Sequence, residues 1–366
     1  MPSEALPPAL SVWLDLLRLA AALVVFLGHA GTQRISGGLL HHAVSFGEAA
    51  VDVFFVVSGF VIAHTASRPT ALHDARAYII ARAARIYSVV LPCLALGWLM
   101  DSTGPLLDPA IYAAAPNFTG PASLADLASS ALFLDHVWFR AAQPGSNLPF
   151  WPLAFEAWYY LAFGLLVFAP RPWNWLAAAA AMAVAGPKIA LLFPLWLLGV
   201  ACQRLCARGP RPPAVGWLLL LAPLLVLSVW DPRGQACTPY TPFDASMRCF
   251  GALAYDYTIG LLVAAQLIGV HALAPRLWPW LRWFARPVAW LAGASFTLYL
   301  LHFPLLHFIA AASPWPAAHP ANRLLVFLLP PLLALAVAEA TERRRTAWRR
   351  AIAALLGRHG NPPLRR

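Results

Sequence analysis

Charged side chains are scarce in this sequence. Asp, Glu, Lys and Arg together make up 11% of its 366 residues, and the mean hydropathy is +0.65. Soluble domains carry about 25% charged residues, so the composition excludes an ordinary soluble protein. It predicts a chain that crosses a membrane several times.

Cysteine is also scarce, with five residues in the chain. The sequence contains neither a zinc-type Cys/His spacing nor a glycine-rich phosphate loop, so we predict no bound metal. Cys237 and Cys249 share a predicted extracytoplasmic loop, where an oxidising compartment would allow a disulfide between them. Two free thiols are the alternative.

Long apolar runs are frequent, and hydropathy predicts an all-α bundle of about ten membrane-spanning helices. The predicted spans are residues 11–31, 46–65, 83–100, 148–169, 173–186, 188–206, 215–230, 253–271, 289–311 and 323–340. We expect a membrane domain over residues 1–340 and a basic cytoplasmic tail over residues 341–366. The longest outer loop, residues 101–147, is expected to cap or shape a site, because idle loops of this length are uncommon.

The basic residues lie mostly on one side of this predicted bundle. With the N-terminus in the cytoplasm, most of the 26 lysines and arginines fall in cytoplasmic loops, in the tail or at the inner end of the first helix. This asymmetry follows the positive-inside rule and places both termini in the cytoplasm. It accounts for the net charge of +11 without a nucleic-acid partner, and the tail is expected to lie on anionic membrane lipid.

Arg18 and His29 are the most informative polar residues of the first predicted span. They are eleven positions apart, which at about 100° per residue is three turns plus about 20°, so both lie on one face of the helix. Such side chains are costly in lipid and usually line a protein interior or a water-filled path. The alternatives are a pairing of Arg18 with Asp15 and an ordinary interfacial role for His29.

The other polar residues of the predicted helices sort by depth. Arg18, Arg82 and Arg85 lie at inner helix ends, where topology determination is the alternative to a binding role. The set predicted to lie further out is His29, Asp52, Glu156, Tyr299 and His302. Arginines bind phosphates through charge-assisted bonds, and a histidine with a carboxylate partner can take a proton from a hydroxyl group. The pattern suits a phosphate-bearing donor inside and a hydroxyl acceptor outside.

Five separated blocks of the sequence resemble, in order, the motifs of acyltransferase family 3, a family of integral-membrane acyltransferases. The blocks are LDLLR at 14–18 followed by His29, VDVFFVVSGF at 51–60, RAARIY at 82–87, WPLAFEAWYY at 151–160 and ASFTLYLLHFP at 294–304. Any one block is a weak signal. Five blocks in order across residues 11–340 are specific.

The resemblance implies transfer of an acyl group, commonly acetyl, from acyl-CoA to a carbohydrate hydroxyl in a bacterial inner membrane. It implies His29 as the catalytic residue and Arg18 as its donor-side partner. Arg82 and Arg85 would then also hold the donor, and Asp52 or Glu156 would orient His29.

The remaining assignments are less direct. Tyr299 and His302 are expected to line the acceptor side. Ser58 and Gly59 are candidates for donor contact, and simple helix packing is their alternative, because glycine lets two helix backbones approach closely. Ser88 follows Tyr87 where the family often has proline, which affects only the local helix geometry.

Some members of the family carry an additional extracytoplasmic hydrolase-like domain, and the sequence after the tenth predicted helix contains none. If that domain is required, a separate partner protein must supply it. A transporter of a glycan or a small solute is the competing interpretation, because intramembrane histidines, arginines and carboxylates also serve proton relays.

Overall fold

A computed structural model describes residues 5–67, 74–229 and 250–356, and these ranges contain helices and turns but no strand. The all-α prediction is confirmed. The predicted Cys237–Cys249 disulfide lies outside the described residues.

The α-helices of the described ranges follow one another in chain order. They are α1 (Pro8–Ala30), α2 (Gln33–Ser36), α3 (Gly47–Ala66), α4 (Ala75–Thr103), α5 (Pro109–Ala113), α6 (Leu124–Ala131), α7 (Pro152–Phe168), α8 (Trp173–Ala185), α9 (Pro187–Cys206), α10 (Pro213–Val229), α11 (Phe250–Leu281), α12 (Ala285–Ala292), α13 (Ser295–Ala312), α14 (Pro320–Ala340) and α15 (Arg345–Leu355). Short 3-10 segments occupy His41–Phe46, Gly104–Leu106, Leu148–Phe150 and Glu342–Arg344.

Eight of the helices in the described ranges are long and apolar enough to cross a membrane: α1, α3, α4, α7, α9, α11, α13 and α14. Helices form at all ten predicted positions, but α8 and α10 have only 13 and 17 residues. A full crossing takes about 20 residues. Helix α7 itself also has 17 residues, but with the preceding 3-10 turn its apolar segment, Leu148–Phe168, has 21. The prediction of about ten spans therefore exceeds by two the eight long apolar segments of the described ranges.

The split between α8 and α9 occurs where the sequence predicts it. Gly186 has φ +93°, a left-handed conformation that glycine adopts without the Cβ clash of other residues. Pro187 then occupies the first helical position of α9, where a missing N–H costs nothing. One long apolar run thus becomes two helices.

Helices α3 and α9 pack backbone against backbone at two glycines. A Cβ atom on Gly59 would lie 2.0 Å from the carbonyl oxygen of Trp196, and one on Gly199 would lie 2.0 Å from that of Val56. No side chain other than hydrogen fits at either position. The packing interpretation of Gly59 is therefore what the structure shows, and a donor contact of Gly59 stays a prediction.

The connection between α6 and α7 enters the bundle instead of staying at its surface. Residues 144–147 are buried, and Asn147 Nδ2 donates to the carbonyl oxygen of Leu300, the sixth residue of α13, at 2.9 Å. The amide N–H of Ser146 donates to Asp101 Oδ2 at 2.8 Å. Irregular backbone at this depth is tolerated because protein surrounds it and satisfies its polar groups. As a result, α7 begins deep in the bundle.

Asp135 lies in the same connection and is fully buried. Burial raises the pKa of its carboxyl group from the ordinary 3.8 to about 7. The protonated form is therefore favoured in the folded state, and the stability that this provides is lost as the pH rises from about 4 through 7. We expect Asp135→Asn to raise the melting temperature more at pH 8 than at pH 5, measured on the purified protein in detergent. A change in melting temperature that is the same at pH 5 and pH 8 would contradict the prediction.

The segment after α14 folds back onto the bundle. Glu342 is 4% exposed, and its Oε2 accepts hydrogen bonds from the Thr297 amide and hydroxyl, each at 3.2 Å. The following helix, α15, packs on α4, and Arg76 Nη2 donates to the carbonyl oxygen of Leu356 at 3.2 Å. Hydropathy gives no sign of this docking, because α15 is rich in arginine.

Candidate active site

A cavity of about 220 Å³ lies among α1, α3, α4, α7, α13 and the start of α15. We call it the arginine cavity. Four guanidinium groups line it, those of Arg18, Arg82, Arg85 and Arg345. Its other polar lining residues are Thr65, Ser58, Glu156, Tyr160, Ser295 and Tyr299. The four arginines face a single lining carboxylate, so the arginine cavity favours an anionic ligand.

Arg18 is positioned by carboxylates on both sides. Its Nη1 lies 3.3 Å from Asp15 Oδ1, one turn earlier on α1, and its Nη2 lies 3.9 Å from Glu342 Oε1. The pairing with Asp15 that the sequence offered as an alternative is therefore present. It does not exclude a binding role, because the same guanidinium lines the arginine cavity.

Glu156 lies in the arginine cavity, not in an outer set of polar groups as its position near the start of the predicted fourth span had suggested. The reason is the buried connection before α7, which carries the start of that helix deep into the bundle. Ser58 Oγ and Tyr160 Oη each donate to Glu156 Oε1 at 2.5 Å. Trp196 Nε1 donates to Ser58 Oγ at 3.2 Å.

Tyr160 and Trp196 are site residues that the sequence analysis missed. Tyr160 is four positions after Glu156 on α7, a spacing that places two side chains on one helix face and could have revealed it. Trp196 is fully buried on α9, and nothing in its local sequence indicates that its indole N–H reaches Ser58.

His29 pairs with His302 across the interface of α1 and α13. His29 Nδ1 lies 2.9 Å from His302 Nε2, and the two rings are stacked with centroids 5.2 Å apart. His302 is fully buried, whereas His29 keeps part of its surface exposed. Of the two imidazoles, His29 is the one that retains exposed surface.

The backbone of α13 sets the hydrogen positions of this pair. His302 Nδ1 lies 2.7 Å from the carbonyl oxygen of Tyr299 and 3.1 Å from that of Leu298. A carbonyl oxygen only accepts, so His302 Nδ1 carries a hydrogen, and in the neutral ring Nε2 must accept. The Nδ1–H of His29 therefore donates to His302, which leaves His29 Nε2 with its lone pair.

Tyr299 connects the arginine cavity to the histidine pair. It lines the cavity, and its ring centroid lies 6.1 Å from that of His302. Phe54 packs against Tyr299 from the cavity side, with ring centroids 5.4 Å apart. The cavity and the two imidazoles are thus neighbours in one core, separated by one aromatic side chain.

Of the two predicted carboxylate partners of His29, Glu156 is hydrogen-bonded to other residues. The hydrogen bonds of Glu156 go to Ser58 and Tyr160, and Asp52 is fully buried on α3. The hydrogen bond that the structure shows for the His29 ring goes to His302. An orienting role for either carboxylate stays a prediction.

A second cavity, of about 310 Å³, lies where the connection before α7 meets α9 and α11. We call it the loop cavity. Its polar and aromatic lining residues are Glu48, Asn117, His136, Gln143, Trp151, Phe155 and Lys188. Burial and the nearby Lys188 ammonium lower the pKa of His136 to about 4, so this imidazole is neutral at pH 7.

An aromatic wall separates the two cavities. Phe55 lines the arginine cavity, and its ring packs on Trp151 and Phe155, with centroids 6.5 and 6.2 Å away. Trp151 and Phe155 line the loop cavity on the other side of this contact. The predicted long loop therefore does shape a cavity, as its length suggested.

A bundle of membrane-spanning helices that joins an arginine-lined cavity to a buried histidine pair has the organisation of a membrane-embedded enzyme. The chain matches the family of the acyltransferase domain over residues 11–339 and belongs to that family. It is a membrane acyltransferase, as the five sequence blocks had indicated. The matched region ends before Glu342 and Arg345.

A curated relative is similar over nearly its whole length. The exopolysaccharide production protein ExoZ of Rhizobium meliloti (strain 1021) is 26% identical over 347 residues, which cover 87% of this chain and 96% of the relative. No solved structure matches the chain.

Proposed function

We propose that this protein transfers an acetyl group from cytoplasmic acetyl-CoA to a hydroxyl group of an exported polysaccharide. Membership of the acyltransferase family supports the reaction class, and the exopolysaccharide named for the ExoZ relative supports the acceptor class. The positive-inside pattern supports a bacterial inner membrane location in which the arginine cavity faces the cytoplasm.

The donor side follows from the charge of the arginine cavity. CoA carries a pyrophosphate and a separate phosphate, and guanidinium groups bind phosphate oxygens with two parallel charge-assisted bonds. Arg18, Arg82 and Arg85 would hold these phosphates. The acyl end would then point along Tyr299 towards the histidine pair.

His29 is the general base in this proposal, and the observation that carries it is the hydrogen-bonded pair with His302. The Nε2 lone pair of His29 takes the proton of the acceptor hydroxyl while the hydroxyl oxygen forms the new ester bond to the acyl carbon. The carbon–sulfur bond of the thioester breaks, and the CoA thiolate leaves and takes up a proton. His302 accepts the His29 Nδ1–H throughout, so the backbone of α13 maintains the reactive tautomer.

The loop cavity is the proposed acceptor side. Amide and carboxylate groups such as those of Gln143, Asn117 and Glu48 can hydrogen-bond sugar hydroxyls, and Trp151 provides an aromatic surface for a sugar ring. Tyr299 lines the arginine cavity, and neither Tyr299 nor His302 lines the loop cavity. Of the acceptor, these two residues would therefore contact only the hydroxyl group that reacts.

The test uses purified protein, acetyl-CoA labelled in the acetyl group, and exopolysaccharide from a strain that lacks this protein. We expect label in the polysaccharide that mild alkali releases, with equal release of free CoA. Transport of unmodified glycan into protein-containing vesicles, without ester formation, would support the transporter interpretation instead. Failure with acetyl-, propionyl- and succinyl-CoA alike would overturn acyl-CoA as the donor.

Arg18→Lys should weaken CoA binding about tenfold, because lysine keeps the charge but loses the two-pronged bond, a difference of about 1.4 kcal/mol. Equilibrium binding of CoA to the purified variant measures this change. The exposed Arg276, changed to Lys, is the matched control and should bind as the wild type does. Wild-type affinity in Arg18→Lys would exclude a direct phosphate contact at this position.

A further inference from the structure

The segment that follows the matched acyltransferase region contributes side chains to the arginine cavity. The family match ends at residue 339, yet Arg345 lines the cavity beside Arg82 and Arg85. Glu342, one turn earlier, lies 3.9 Å from Arg18. Two residues outside the matched region are thus in contact with the proposed donor site.

The position of this segment is held at several points. Glu342 accepts two hydrogen bonds from Thr297, and Arg343 Nη2 donates to the carbonyl oxygen of Trp290 at 2.7 Å. The Arg343 guanidinium also lies over the Trp290 ring, 4.4 Å from its centroid. At the other end of α15, Leu356 accepts from Arg76. These contacts place the start of α15 at the mouth of the cavity.

Arg345 lies near two other positively charged side chains of the arginine cavity. It lies within electrostatic range of the guanidinium groups of Arg82 and Arg85, which repel it, and of Glu342 and Asp15, which attract it. Repulsion among such neighbours is unfavourable unless an anion joins them. A ligand with several phosphate groups relieves the repulsion, and the exposed Arg345 side chain can meet such a ligand as it enters.

We propose that the start of α15 completes the donor site, with Arg345 as a direct ligand of a donor phosphate and Glu342 as the residue that positions Arg18. The proposal rests on CoA being the donor, as proposed above. It assigns a binding role to a segment whose basic composition had indicated only contact with membrane lipid.

The experiment measures equilibrium binding of CoA to the full-length protein in detergent for the wild type, Arg345→Ala and Arg349→Ala. Arg349 is the matched control, because it is exposed on the same helix one turn further on and does not line the cavity. We expect Arg345→Ala to bind CoA about tenfold more weakly, equivalent to about 1.4 kcal/mol. Arg349→Ala should bind as the wild type does, and Arg345→Lys should be intermediate.

A competition measurement with pantetheine distinguishes the loss of a phosphate contact from a general change in the shape of the cavity. It lacks the phosphates of CoA, so its own inhibition constant against the acetyl donor should be the same in Arg345→Ala and in the wild type. Wild-type CoA affinity in Arg345→Ala, or an equal loss in Arg349→Ala, overturns the proposal for Arg345 alone. Absence of CoA binding by the wild type overturns the proposed donor and this proposal with it. Melting temperatures of the four proteins show whether each variant is folded.

Discussion

His29→Gln is expected to lower the rate of acetyl transfer by about 10²–10⁴-fold, the range for loss of a general base. Glutamine keeps a hydrogen-bonding group of similar length but has no nitrogen that accepts a proton near neutral pH. CoA affinity should not change, because His29 is separated from the arginine cavity by Tyr299. The measurement is the initial rate of ester formation on polysaccharide, with CoA binding determined on the same preparation.

Two variants on α13 test whether the loss of rate is specific to the His29–His302 pair. His302→Gln should reduce the rate less than His29→Gln does, since the glutamine oxygen can still accept the Nδ1–H of His29. His307 is a matched control, because it is also buried on α13 and its Nδ1 lies 2.9 Å from the carbonyl oxygen of Phe303. His307→Gln should retain most of the activity. A normal rate in His29→Gln would exclude His29 as the base.

The sequence predicted the parts of this molecule that depend on local composition. Apolar runs located the helices, and the split at Gly186–Pro187 is visible because a left-handed glycine before a proline is a local signal. The shared face of Arg18 and His29 follows from the helical period alone. The structure agrees, since Arg18 lines the arginine cavity and His29 packs on α13 along the same helix.

Contacts between distant segments were not predictable in this way. The histidine pair joins residues 273 positions apart, and no period or composition links α1 to α13. Depth along the helix was a reasonable guide for Arg18, but it failed for Glu156. There, the buried turn at Asn147 shifts the start of α7 inwards, and hydropathy treats that turn as an ordinary loop. The sequence analysis also missed the docking of Glu342 and α15, because a polar helix gives no hydropathy signal.

The close contact of α3 and α9 also bears on Ser58, whose neighbour Gly59 is at the interface. Trp196 Nε1 on α9 reaches Ser58 Oγ on α3 across this close backbone contact, and Ser58 in turn donates to Glu156 on α7. The hydrogen bond from Trp196 to Ser58 therefore depends on the two glycines at the contact. Replacing either glycine with alanine, which adds a single methyl group, is therefore expected to lower the stability of the protein strongly.

Gly59→Ala and Gly199→Ala are each expected to destabilise the protein by about 3 kcal/mol or more, at or above the upper end of the cost of overpacking a core. The added Cβ would lie 2.0 Å from a backbone carbonyl oxygen, and neither helix backbone can yield without moving its whole length. Gly47→Ala is the matched control at the start of α3, because its Cβ would meet nothing within 4 Å. The yield of monodisperse protein and its melting temperature in detergent measure the effect. Wild-type stability in Gly59→Ala would show that α3 and α9 do not make this contact, and the hydrogen bond from Trp196 to Ser58 across it would then be excluded as well.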